Sequence, residues 1–166
     1  LAEVYIRLGK KNDAWQIFSA AAETLRNRGS RGGAEEILQR MLTLDPGNSY
    51  ALLLRARNAI ESGDAAGAIP LFQKVHDLDS HPDGMRDLLK AYLQTGRVSE
   101  AGPLAAKLLT THNDAGSMFS YVDALLQNNA QEDAIYVMEE HADRLLAENS
   151  AKILETLRAV IGPLGS

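Results

Sequence analysis

Residues 49–81 read SYALLLRARNAIESGDAAGAIPLFQKVHDLDSH. Gly63 divides the stretch in two. After it, Ala68, Ile69, Phe72, Val75 and Leu78 recur at steps of one, three, three and three, the spacing of one face of a helix. Glycine reaches the left-handed backbone that closes a helix without steric cost, so Gly63 marks a tight turn between two helices. The segment thus predicts a helical hairpin.

Working outward, the same punctuation returns. Gly29, Gly63, Gly96 and Asn129 lie 34, 33 and 33 residues apart. Five residues after each stands an alanine: Ala34, Ala68, Ala101 and Ala134. Four further on come Leu38, Phe72, Ala105 and Met138. A small residue lets two antiparallel helices approach, and the next position fills the space between them. Ahead of the turns the apolar spacing is again helical, as in Met85, Leu88, Leu89 and Tyr92, and in Met118, Tyr121, Val122 and Leu125. Three columns with one period of about 34 residues signal a repeat array rather than a single closed core.

These residues resemble a tetratricopeptide repeat (TPR). The likeness is carried by Ser49 to Asp79, with Gly63-Asp64, Ala68-Ile69, Phe72 and Leu78-Asp79, and by Gly29 to Asn48, which ends in Leu44-Asp45-Pro46-Gly47-Asn48. The resemblance covers roughly residues 1 to 148 and implies an all-α fold, a right-handed α-solenoid of stacked antiparallel helix hairpins. The expected layout is an irregular N-terminal unit at 1–48, repeats at 49–81, 82–114 and 115–148, and a final amphipathic helix at 150–161 covering the end of the stack, with Ser150 capping its start.

Some positions depart from the pattern. Gly9 lies only 20 residues before Gly29, so one helix, about Asn12 to Asn27, must close one hairpin and open the next. Arg55 and His141 stand where packing residues are expected. Pro70 and Pro103 share one column of the second helix and each removes a helical hydrogen bond. The chain opens on Leu1 inside a helical pattern, which reads as a fragment of a longer protein. Gly162-Pro163-Leu164-Gly165-Ser166 resembles the remnant left by an expression-tag protease and is set aside.

Composition narrows the function. Aromatic residues are 5% of the chain, and Ala and Leu, both strong helix formers, supply most of its apolar content. With no cysteine, thiolate metal sites and disulfides are excluded, which fits a reducing compartment such as the cytoplasm. A net charge of −5 argues against nucleic acid, whose phosphates need clustered Lys and Arg. No apolar run approaches the roughly 18 residues that span a bilayer. His76, His81, His112 and His141 include no pair at metal-ligand spacing on one helix face. Gly29-Ser30-Arg31-Gly32-Gly33 leads into a helix but lacks the strand and the Lys-Ser or Lys-Thr of a phosphate loop. Glu139 and Glu140 beside His141 read as a solvated face. The expectation is a chain that is not an enzyme and uses no cofactor.

What the resemblance implies instead is a protein-interaction scaffold. In this family the first helix of each repeat lines a concave groove in which extended peptides lie. By column, the groove positions here are Gln16, Ser19 and Glu23; Leu53 and Arg57; Arg86, Asp87 and Lys90; and Phe119, Ser120 and Asp123. The asparagines of the subclass that grips C-terminal carboxylates are missing from their columns. Arg57, Arg86 and Lys90 form a basic centre, which suits an acidic extended partner, with Phe119 as an apolar seat. The rival reading is a structural module that self-assembles through its repeat ends. Residues 115–149 hold seven acids against the single base Arg144, while residues 1–48 hold seven bases and six acids, so the two ends differ in charge.

Overall fold

The turn columns set the architecture. In the computed structural model, which describes residues 1–162, Gly63 has φ of +90° and Asn129 has φ of +59°, each ending a helix in left-handed backbone. Gly9, Gly29 and Gly96 share that conformation. Between these breaks the described residues are helical, with no strand. The helices are α1 (Ala2–Arg7), α2 (Lys11–Asn27), α3 (Arg31–Leu44), α4 (Ser49–Glu61), α5 (Ala65–Gln73), α6 (Pro82–Gln94), α7 (Val98–His112), α8 (Ala115–Gln127), α9 (Gln131–Glu140) and α10 (Ala142–Ile161). Residues 163–166 of the tail motif lie outside the described residues.

The chain divides into two compact units, Leu1–Gly84 and Met85–Ser166, with the boundary inside α6. In the first unit α2 packs on both α1 and α3, α3 packs on α4, and α4 on α5. The shared helix expected near residues 12–27 is therefore α2. Ala14, Phe18, Ala22, Leu38, Met41, Ala51 and Leu54 join in one buried cluster, with Trp15 and Tyr50 packed against it. In the second unit α7 packs on α8, and α8 also meets α9 and α10. The small-residue column is fully interior: Ala34 is 1% exposed, and Ala68, Ala101 and Ala134 are 0%.

Three local features differ from the pattern read in the sequence. First, α5 stops at Gln73, although Val75 and Leu78 continue the helical spacing. Val75, His76 and Asp77 are weak helix formers. Asp77 accepts hydrogen bonds from the Ser49 hydroxyl and from His81 Nε2 at 3.0 Å, which fixes a short turn instead. Second, α9 ends at Glu140, and His141 occupies the break before α10 with its side chain only 16% exposed. Third, Ser150 is not the cap of the last helix. Asn149 leaves the helical backbone (φ −156°, ψ 82°), and its Oδ1 accepts from the Lys152 N–H at 3.0 Å. An amide side chain at this position reaches the orphan N–H three residues on.

Candidate functional site

Each unit carries a cavity lined by first helices of its hairpins. In the first unit Glu23 of α2 and Tyr50, Leu53, Leu54 and Arg57 of α4 line about 310 Å³, closed by residues 80–84. The Tyr50 hydroxyl donates to Glu23 Oε1 at 3.0 Å and lies 3.4 Å from the Ser19 carbonyl. Burial, then the neighbouring Glu23 carboxylate, pushes the Tyr50 phenol up to about 12. A Cβ on Gly84 would come 2.6 Å from Leu53 Cδ2, so a larger residue there would make that leucine side chain shift. Gln16 is exposed and Ser19 half-buried on α2, and neither lines this cavity.

The second unit holds the larger cavity, about 740 Å³. Its α6 wall is Arg86, Leu89, Lys90, Leu93 and Gln94. Its α8 wall runs from Gly116 through Ser120 and Asp123 to Gln127 and Asn128, with Asp114 at the mouth of the helix. Asp114 caps α8: Oδ1 accepts the Ser117 N–H at 3.0 Å and Oδ2 the Ser117 hydroxyl at 2.7 Å. Arg86 Nε donates to the same Oδ2 at 2.6 Å. Burial works against the Asp114 charge, but Arg86 and Ser117 outweigh it and hold the carboxyl below its ordinary value.

The expected groove residues are thus sorted by contact. Glu23, Leu53 and Arg57 line the first cavity, and Arg86, Lys90, Ser120 and Asp123 line the second. Within the expected basic centre, Arg86 pairs with Asp114 at 2.6 Å. Asp123 faces Lys152 Nζ at 3.7 Å. Phe119 is corrected. It is 7% exposed and belongs to the core rather than to a surface seat. Sequence reading missed Tyr50, Gln94, Asp114, Gln127 and Asn128. Only Asp114 had a local signal, an Asp three residues before a Ser at the start of an apolar helical run.

Chemistry elsewhere is sparse. Ser49 and His81 both bond Asp77, so in this cluster the carboxylate sits between them and the imidazole does not face the hydroxyl. Among the described residues no group of His, Asp and Glu is placed to hold a metal ion, and no helix is long and apolar enough to cross a membrane.

No family model and no curated protein sequence matches the chain. A solved structure does: a Podosopora anserina protein described as a kinesin light chain with nearly identical TPR-like repeats. It aligns at TM-score 0.57 and 16% identity, over 87% of this chain and 82% of that one. With its run of consecutively packed helices and its turn and small-residue columns, the chain has the fold of TPR-like helical repeats.

Proposed function

We propose that this chain is a non-catalytic protein-interaction scaffold that holds an extended segment of a partner protein, with residues 49–81, 82–114 and 115–148 as its repeat units. The carrying observation is the cavity of about 740 Å³ between α6 and α8. Its lining mixes the amides of Gln94, Gln127 and Asn128 and the hydroxyl of Ser120 with the apolar Leu89 and Leu93. Amides both donate and accept, so they match the alternating N–H and C=O groups of an extended backbone. Half-buried Leu93 offers apolar contact for one side chain. Exposed Lys90, in the α6 wall, supplies a charge-assisted bond to an acidic side chain of the same segment. The smaller cavity beside Arg57 gives the first unit a comparable polar surface.

The test is site-specific photo-crosslinking. A photoreactive residue is placed at Gln127 in the cavity or at Thr110, an exposed position on α7. The partner recovered on the whole chain should crosslink strongly from position 127 and weakly from 110. Equal yields from both positions would refute the groove.

A further inference from the structure

Most side-chain hydroxyls of this chain are committed. All six threonines donate to a carbonyl one helical turn back. Ser49 and Ser117 are bonded to carboxylates, and Ser62 and Ser120 to backbone carbonyls. Ser30, Ser80, Ser99 and Ser150 are instead exposed, and among the described residues their hydroxyls have no hydrogen-bond partner. Acids flank three of them: Asp79 precedes Ser80, Glu100 follows Ser99, and Glu148 lies two residues before Ser150. Ser30 has a different setting.

It stands in the turn between α2 and α3, within TLRNRGSRGGA at residues 24–34, which holds three arginines and no acid, a net +3. Residues 27–32 are all exposed. Arg26 is occupied by Glu61 at 2.9 Å, whereas among the described residues the guanidinium groups of Arg28 and Arg31 have no ion pair or hydrogen bond. The Ser30 side chain does not cap α3. A Cβ on Gly33 would come 3.0 Å from Ser30 Oγ, so the hydroxyl lies over the first turn, on the side that glycine leaves open. Glycines at 29, 32 and 33 let the segment extend at little steric cost.

We propose that Ser30 is a phosphorylation site for a serine kinase that selects arginine-flanked targets, and that Arg28 and Arg31 hold the phosphate once it is there. Arginines beside the acceptor suit an enzyme whose substrate cleft is lined by carboxylates, through charge-assisted bonds. The Ser30 oxygen attacks the γ-phosphorus of ATP. The Oγ–P bond forms, the bond from that phosphorus to the bridging oxygen breaks, ADP leaves, and the hydroxyl proton passes to the kinase's catalytic carboxylate. The product carries a charge of about −1.5 to −2, which takes residues 24–34 from +3 to about +1. An anion at the start of α3 is also favoured by the helix dipole. The inference is independent of the α6–α8 cavity, which it does not use.

The test treats the whole folded chain with Mg·ATP and a purified serine kinase that selects arginine-flanked targets. Intact mass should show one added phosphoryl group, and peptide mapping should place it on Ser30. Ser30→Ala should abolish the transfer, and Arg28→Gln with Arg31→Gln should slow it several-fold. All three positions are exposed, and unchanged helical circular dichroism checks the fold. If the pair disturbs it, Arg28→Gln alone, outside the helices, replaces the pair. At low salt the phosphorylated chain should melt about 1–3 °C higher than the unmodified one, and the gain should shrink as salt rises. A folded chain that takes no phosphate at Ser30 overturns the proposal. So does transfer to Ser99 or Ser150 at the same rate, or a double variant modified as fast as wild type. A phosphorylated chain that melts no higher overturns the pairing with Arg28 and Arg31.

Discussion

Tyr50 and Asp114 show how single side chains tie one hairpin to another. Tyr50 folds with a raised pKa, near 12, because it is partly buried and donates to Glu23. A raised folded value means the contribution to stability is complete below the unfolded pKa of about 10 and is lost as pH climbs through the folded value. Phenol absorbance should therefore show a late-ionising tyrosine that disappears in Tyr50→Phe, and the variant's melting temperature should fall less between pH 10 and 12 than the wild type's. Simultaneous ionisation of all five tyrosines would contradict this reading. Asp114 has the opposite sign. Its depressed pKa gives stability that is complete above the ordinary carboxylate range near about 4 and lost as pH falls through the lower folded value. Asp114→Ala removes the Ser117 cap and the ion pair to Arg86, so at neutral pH it should cost about 1–2 kcal/mol in denaturant melts. The gap to wild type should close in acid. A gap independent of pH would show that the charge of Asp114 is irrelevant.

At the scale of the element, a helix pair depends on its small residue. Ala68 is 0% exposed, five residues beyond the Gly63 turn and between α5 and the helix before it. Ala68→Arg forces volume and a charge into that contact and should cost about 2–4 kcal/mol. Gln94→Arg, at an exposed position on α6, should cost under about 0.5 kcal/mol. Thermal or urea melts compare the two, and similar losses would undo the column assignment. The short α5 and the broken α10 follow the same logic. Where Asp77 or Asn149 has a polar partner that competes with the helical backbone, the helix ends there even though the apolar spacing runs on.

At the scale of the whole molecule, a repeat fold is stabilised through contacts between successive elements, so protection should vary along it. The first-unit core gathers residues from α2, α3 and α4, whereas α1 keeps Leu1 and Val4 in solvent. In α10, Leu154 and Ile161 are more than half exposed, beyond the break at Asn149. Hydrogen exchange at low protein concentration should be fastest in α1 and in α10 after residue 149, and slowest in α3, α4 and α8. Uniform exchange along the chain would mean one all-or-none unit instead.

The sequence by itself determined the hairpins. A left-handed turn and a close helix contact are demands on single residues, so Gly63, Asn129, Ala68 and Ala101 carry them in the local chain. The shared helix α2 was legible for the same reason, since Gly9 and Gly29 are too close for two helices between them. Spacing alone also groups Arg86 with Lys90, four residues on, on one face of α6. Only the tertiary structure decided what stands opposite each. Arg86 meets Asp114, 28 residues away, and Tyr50 meets Glu23, 27 away. Phe119 turns out to be interior. Helical periodicity fixes a side chain's direction from its own axis, but its charge state and exposure depend on side chains brought near by packing, and that distance is not written in the local sequence.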